Sequence, residues 1–206
     1  MASALQYFVP ILILGIPIHE CTIFQNENCI KEGPCFDLII VEKIAEQVSK
    51  EVVSAEGEKI LLKHESFDKI RKMKNLHSCV LLEIIDLFQK VLVETEKTSS
   101  VHLEEGIDYH RELIHVLDQL RSCVYKIKCN KLNEKAATSS IKIPEKKMKA
   151  KQLAILQLRK LKNANERLSD VHIQERVMDE LKTLHLYMRG KGFRKNTNDM
   201  ERHSVP

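Results

Sequence analysis

The stretch that most constrains the fold of this chain runs from Leu76 to Leu92 and reads LHSCVLLEIIDLFQKVL. Apolar residues recur in it at the three- and four-residue spacing of one helix face, at Leu76, Val80, Ile84, Leu87 and Val91. Further apolar residues cover much of the remaining circumference: Leu81, Leu82, Ile85 and Phe88. A helix that is apolar on most sides needs neighbours on most sides. The stretch is too long for a typical strand, so it predicts the central helix of a bundle.

The rest of the chain favours an all-α protein with five helices. Its 206 residues suffice for one domain with a full core, and it contains only 6 Gly and 5 Pro. The apolar periodicity predicts a first helix over 35–54 and a central helix that begins at Ser66 and ends before a polar break at 95–100. Three more helices are predicted over 100–127, over 145–168, and from a cap at Ser169 or Asp170 to Gly190. The Lys-rich stretch 129–149 predicts a long mobile loop, and 54–65 predicts a connection whose Ile60-Leu61-Leu62 dips onto the core.

The N-terminus predicts a secreted protein. Residues 5–18 are apolar but too few to span a membrane comfortably, so 1–20 is interpreted as a cleaved signal peptide. No Lys or Arg precedes the apolar run, and no A-x-A cleavage site follows it. The mature domain is then expected over 21–192, followed by a basic disordered tail over 193–206. No later run is apolar enough to span a bilayer, so no membrane span is expected.

Six cysteines fit an extracellular location, at positions 21, 29, 35, 79, 123 and 129. In an oxidising compartment an even number indicates up to three disulfides, but sequence alone does not choose among 15 pairings. No C-x-x-C occurs, and no His pair at ligand spacing accompanies a Cys. We therefore expect no metal and no cofactor.

Positive charge is concentrated towards the C-terminus. Residues 1–140 carry 17 Lys and Arg against 21 Asp and Glu, whereas 141–206 carry 16 against 8. A basic C-terminal third suits an acidic receptor, heparan sulfate or nucleic acid, or it is simply a solvated helix face. The alternative to a secreted ligand is an intracellular helical adaptor or nucleic-acid-binding protein that uses this third and keeps its cysteines reduced.

No catalytic constellation is visible in the sequence. The chain has no G-x-S-x-G, H-E-x-x-H, P-loop or Rossmann fingerprint, and its histidines are scattered. His110 and His115 are five residues apart and do not share a helix face well. We therefore do not expect an enzyme.

Several segments resemble the type I interferons, a family of class II helical cytokines. LLEIIDLFQKVL is similar to the family's second helix, and the third predicted helix closes on Leu120-Arg121-Ser122-Cys123-Val124, much as in fish and avian members. HIQERVMDE, from His172 to Glu180, resembles the last helix and keeps Glu175, Val177 and Glu180 of its pattern. The Lys-rich insertion before the fourth helix resembles the kappa type.

The sequence departs from the family pattern in two ways, so related cytokine families remain alternatives. His172 and Gln174 stand where the family has Cys and Trp, so one of the two usual disulfides cannot form in the usual way. The first helix and first loop lack the family's F-P-x-x-C. Type III interferons and the interleukin-ten class are therefore alternative relatives.

The resemblance implies both a fold and a function. It implies an up-up-down-down five-helix cytokine bundle that bridges the two different chains of a heterodimeric class II cytokine receptor and starts antiviral and immune signalling. It also implies that the first mature cysteine pairs with the end of the third helix. Cys123 is therefore expected to bond Cys21, with Cys29 and Cys35 as the other choices.

Helical geometry and the resemblance together nominate a receptor face. Val177, Leu181, Leu184 and Met188 fall within a narrow arc of the predicted last helix. The opposite arc and its flank hold the predicted receptor-binding residues Glu175, Arg176, Asp179, Lys182 and Leu186. In the resembled family, the last helix contacts the tighter-binding receptor chain together with the first helix and first loop. Leu186 is expected to be an exposed apolar anchor ringed by charge.

Overall fold

The computed structural model describes residues 38–50, 52, 57–98, 108–138 and 143–193. These residues form eight α-helices: α1 Leu38–Val48, α2 His64–Arg71, α3 Lys74–Thr98, α4 Tyr109–Cys123, α5 Asn130–Thr138, α6 Ala150–Glu166, α7 Val171–Leu181 and α8 Leu184–Tyr187. A single 3-10 turn, Glu145–Lys147, precedes α6. In this part of the chain the only bridge between extended segments pairs Val124 with Phe193. The all-α prediction is confirmed, and the up-up-down-down order stays a prediction.

Helix α3 lies at the centre of the bundle, where it packs against α2, α4, α6 and α7. Residues on several of its faces are buried, namely Leu76, Val80, Leu81, Ile84, Ile85, Leu87, Phe88, Val91 and Leu92. The prediction of a central helix is therefore confirmed. The apolar residues around α3 explain this position, because burial of several faces removes a large apolar surface from water.

The predicted central helix is divided into two, which corrects its start. Helix α2 ends at Arg71 and α3 begins at Lys74. Ser66, the predicted N-cap, is buried within α2, and Lys63 occupies the N-cap position. No side chain between Arg71 and Asn75 is buried, so packing does not hold this stretch in one straight helix. Helix α2 instead packs against α6 and α8 as well as α3.

Helix α5 lies inside the stretch that was predicted to be a loop, so that prediction is wrong over 130–138. The helix begins directly after Cys129, which forms a disulfide with Cys79 of α3. It packs against α6 and buries Ala136, while Leu132 is partly buried. Two apolar contacts are too few to make a visible periodicity. The disulfide and the packing on α6 therefore stabilise α5, and neither can be seen in the local sequence.

The remaining helices follow the predicted periodicity with shorter limits. Helix α1 buries Val41, Ile44, Ala45 and Val48, and packs on α4 and α8. Helix α4 begins after Asp108, whose side chain accepts a hydrogen bond from the Arg111 N–H, and the predicted cap Ser100 lies outside the described residues. Residues 99–107 lie outside the described part. Of the two predicted caps of α7, Ser169 and Asp170, it is Asp170 that occupies the N-cap position, where its side chain accepts from the His172 N–H at 3.0 Å.

The predicted disulfide of Cys123 cannot be examined in the described residues. Cys123 is buried at the end of α4, and its candidate partners Cys21, Cys29 and Cys35 lie outside the described ranges, as does the predicted signal peptide. The pairing therefore stays a prediction. Phe193, assigned to the tail, is buried, and residues 194–206 lie outside the described part.

The segment 189–193 lies across the junction of α2 and α3, where it contacts His77. The Gly192 N–H donates to His77 Nδ1 at 2.8 Å, and the Lys191 N–H donates to the Arg71 carbonyl at 3.1 Å. Gly190 has φ +136°, and a Cβ there would lie 2.7 Å from His77 Cε1. Only glycine fits this position without strain or a clash.

Replacing central side chains of α3 should destabilise the protein strongly. Ile84→Ala or Phe88→Ala should cost roughly 2–5 kcal/mol, because each leaves a cavity in a fully packed site. Val93, 38% exposed on the same helix, offers the control, and Val93→Ala should cost less than about 1 kcal/mol. Urea unfolding measures all three, and equal losses would contradict the central position of α3.

Because of His77, the free energy of unfolding should decrease in mild acid. Burial lowers the pKa of His77 to about 4 from the ordinary 6.5. The unfolded chain therefore gains a proton below about pH 6.5 that the folded protein does not, and stability is lost as pH falls from 6.5 towards 4. The loss should be about 3 kcal/mol across that window. Urea unfolding at pH 7 and pH 4 measures it.

The control is His77→Asn, which keeps an acceptor for the Gly192 N–H but does not titrate in this range. Its free energy of unfolding should change less between the two pH values. An identical pH dependence in this variant would exclude His77 as the cause.

Candidate receptor-binding surface

The segment from Gly57 to Leu62 has no regular secondary structure, yet side chains of α6 and α7 hold its backbone. The Ile60 and Leu61 N–H groups donate to the two carboxylate oxygens of Glu180 at 2.5 and 2.7 Å. Gln157 accepts from the Leu62 N–H at 2.8 Å and donates to the Ile60 carbonyl at 3.0 Å. These bonds replace the ladder that a helix or strand would supply.

A third side chain, from α8, completes this attachment. Tyr187 Oη donates to the Leu62 carbonyl at 2.6 Å. The side chains of Ile60, Leu61 and Leu62 are buried, which confirms that this part of the connection dips onto the core. The segment 57–62 is therefore fixed to α6, α7 and α8 together.

Glu180 is buried and has opposed influences on its charge. Burial raises the pKa of this carboxyl, while the Leu61 and Ile60 N–H groups favour the ionised form and oppose that rise. Lys59 and Lys160 also favour the charged form. Because both oxygens are occupied by donors, the ionised carboxylate is the form that matches its partners.

The outer side of the segment carries charged groups around a shallow cavity. Lys160 Nζ lies 2.7 Å from a Glu58 carboxylate oxygen and donates to the Lys59 carbonyl at 2.5 Å. This lysine holds the pKa of Glu58 below its usual range. The guanidinium of Arg176 lies against Gly57, and the φ of this glycine, +126°, is one that residues with a Cβ rarely adopt. The cavity, about 160 Å³, is lined by Glu58, Lys59, Lys160, Asn163, Arg167 and Arg176, among others.

The structure brings one predicted receptor residue to this cavity and places three others nearby on α7 or just after it. Arg176 lines the cavity. Glu175 is exposed and lies 3.4 Å from His172. Asp179 pairs with Lys182 at 3.0 Å, and both are partly exposed. The role of these residues in receptor binding stays a prediction.

Leu186 lies in a different environment from the one predicted. Helix α7 ends at Leu181, and Lys182–Thr183 turn the chain before α8, so an angle of 100° per residue does not continue to position 186. Leu186 is partly buried and packs against the core, while its carbonyl accepts from Arg71 Nη2 at 2.9 Å. Its expected position as an exposed anchor is therefore wrong. The predicted burial of Val177, Leu181, Leu184 and Met188 is confirmed.

Helix α1 adjoins the same region. It packs on α8, and Glu42 of α1 lies 3.6 Å from His185 Nε2 of α8. Helix α8 thus contacts α1 on one hand and, through Tyr187, the segment 57–62 on the other. The first described helix, the connection that follows it and the last helices are neighbours in the fold.

Gln157 and Glu180 are the positioning residues that the sequence analysis missed, although a signal for them existed. Gln157 stands between Leu153 and Leu161 at spacings of four, within the apolar stripe of α6. Glu180 follows Val177 by three residues, within the apolar stripe of α7. A polar residue inside an apolar stripe is buried and must find partners. The partners themselves, backbone groups about 95 and 120 positions away, leave no mark on the local sequence.

Comparisons with protein-family models, with curated proteins and with solved structures found no match to this chain. Among the described residues, no helix has the length and apolar character needed to cross a membrane. The same residues contain no group of three His, Cys, Asp or Glu side chains placed to hold a metal ion.

Removing the Glu180 carboxylate should destabilise the protein and release the segment 57–62. Glu180→Ala should cost roughly 2–4 kcal/mol, because two buried N–H groups lose their acceptor. The control is Glu175→Ala, on the exposed side of the same helix, which should change stability by less than about 0.5 kcal/mol. Urea unfolding measures both variants, and equal costs would contradict the role of Glu180.

Proposed function

We propose that this protein is a secreted helical cytokine of the interferon-like class. It bridges two different cell-surface receptor chains and thereby starts antiviral and immune signalling inside the cell. The protein contributes shape and contacts rather than chemistry. Its relatives are to be sought among the type I interferons, with type III interferons and the interleukin-ten class as alternatives.

One observation carries the proposal: α1, the segment 57–62 and the helices α7 and α8 adjoin. These are the counterparts of the first helix, first loop and last helix, which contact the tighter-binding receptor chain in the family that the sequence resembles. Glu180 and Gln157 fix the segment, so a partner would meet a surface that is already ordered. A preordered surface lowers the entropic cost of binding.

The disulfide between Cys79 and Cys129 supports secretion. Disulfides persist in oxidising compartments and are rare in the cytosol. The alternative, an intracellular adaptor or nucleic-acid-binding protein, requires reduced thiols and an uncleaved N-terminus.

The intact mass of the protein made by animal cells distinguishes these two functions. For the cytokine, protein in the medium should lack the residues before a cleavage site between Gly15 and Glu20. Reduction should add two hydrogen atoms per disulfide, at least for Cys79–Cys129. Uncleaved protein that stays in the cell with six thiols would favour the adaptor.

Charge reversal on α7 tests the receptor face. Glu175→Lys combined with Lys182→Glu keeps the net charge and should weaken receptor binding at least tenfold, or about 1.4 kcal/mol. The probe is cells that express pairs of class II cytokine receptor chains, with binding read by crosslinking of labelled protein.

The control for this test is the same reversal on α4, Arg111→Glu with Glu112→Lys, at two exposed positions. Circular dichroism should show native helicity for both variants. If the α7 variant is folded and binds as tightly as the wild type, this face is not the receptor site. Heparan sulfate is a further proposed partner.

A further inference from the structure

Four segments that are distant in sequence carry an unusual excess of positive charge. Residues 69–75, 125–133, 146–152 and 189–193 hold four, three, four and two Lys or Arg, thirteen in all, and no Asp or Glu. Only the third and fourth belong to the basic C-terminal third of the sequence. Together we call these four segments the basic end.

Direct contacts bring the four segments together. Lys69 Nζ donates to the carbonyls of Lys146 and Met148 at 3.2 and 3.3 Å. The Lys191 N–H donates to the Arg71 carbonyl at 3.1 Å, and the Tyr125 N–H donates to the Gly192 carbonyl at 3.0 Å. These bonds join the first segment to the third and fourth, and the fourth to the second. The excess of charge is therefore one continuous region and not four separate ones.

The lysines of this region face water. Lys126 and Lys128 are exposed, whereas the residues that alternate with them, Tyr125, Ile127 and Cys129, are partly buried. This is the two-residue alternation of an extended chain. Lys74, Lys128 and Lys151 line a depression of about 530 Å³ beside the Cys79–Cys129 disulfide. Among the described residues, no lysine of the basic end forms an ion pair with a carboxylate, although Arg71 pairs with Asp68.

We propose that the basic end binds a sulfated polysaccharide chain of the heparan sulfate type. Dense cationic charge whose lysines are not neutralised by ion pairs attracts a polyanion over several ångströms. The inference depends on the proposed secretion, which brings the protein to cell-surface polysaccharides, and not on the receptor face. The basic end would then concentrate the cytokine at the cell surface.

The chemistry of the region favours a polysaccharide over nucleic acid. Most of its cations are lysines, which act as point charges and lack the planar fork with which Arg reads bases and phosphates. The one aromatic ring among the second segment's residues, Tyr125, has Lys74 Nζ 3.2 Å from its centroid, so that face is not open for base stacking. Sulfate groups need neither stacking nor base recognition.

Binding to immobilised heparin tests the inference on the purified full chain. At about 0.15 M salt the wild type should bind heparin and should bind hyaluronan, which has carboxylates but no sulfate, at least tenfold more weakly. The triple variant Lys126→Gln, Lys128→Gln, Lys151→Gln should lose at least tenfold in affinity for heparin. The dependence of log Kd on log salt should also become shallower, because fewer counterions are released.

The control removes the same charge elsewhere. Lys43→Gln, Lys90→Gln, Lys162→Gln changes three exposed lysines on α1, α3 and α6 outside the basic end, and should lose less than threefold. Circular dichroism and urea unfolding confirm that both variants are folded. Equal losses of heparin affinity in the two variants would show that only the net charge matters, and would overturn the inference.

Two further results would also overturn it. These are absence of heparin binding by the wild type at about 0.15 M salt, and binding to duplex DNA as tight as or tighter than binding to heparin, which would assign the region to nucleic acid. No receptor is present in the heparin measurement, so its failure is distinguishable from failure of receptor bridging. On receptor-expressing cells whose heparan sulfate has been removed by heparinase, the triple variant should crosslink like the wild type.

Discussion

The architecture depends on the apolar circumference of α3. A helix of this kind is stable in water only when other elements cover it, and α2, α4, α6 and α7 do so. Their positions in turn determine which faces remain outside. Since α3 occupies the centre, most of the outer surface is formed by the other helices and by the connections between them, although the first residues of α3, such as Lys74, also reach it.

Two buried polar side chains fix an irregular connection to the outside of the helical core. Glu180 and Gln157 lie on core-facing sides of their helices and use that position to hold a connection rather than to pack against another helix. An apolar side chain at either position would pack but would leave backbone groups of the segment 57–62 without partners. The stability of the core and the shape of the outer surface are therefore coupled at these two residues.

The sequence was enough to predict helices whose apolar spacing is visible in the local sequence. It was not enough where contacts with residues far away in the sequence determine the structure. The apolar spacing of α3 and of Val177, Leu181, Leu184 and Met188 was enough to predict burial. Helix α5 could not be foreseen, because its support comes from α6 and from the Cys79–Cys129 disulfide. Leu186 was misplaced because a two-residue turn after α7 shifts the helical angle, and nothing in Lys182-Thr183 signals that turn. The basic end could not be foreseen as one region, because the fold assembles it from four segments and only two of them belong to the basic C-terminal third.

The attachment of the segment 57–62 has a consequence for the dynamics of the molecule. Amides in an irregular connection usually exchange with solvent through small local openings. Here the Ile60, Leu61 and Leu62 amides are bonded to Glu180 and Gln157, which are buried among packed helices, and their own side chains are buried as well, so we expect their exchange to be slow. Their hydrogen exchange is thus linked to opening of the bundle, and this connection belongs to the same cooperative unit as the core. A surface built on the segment 57–62 is therefore held by the packing of the core, although the segment contains no helix or strand of its own.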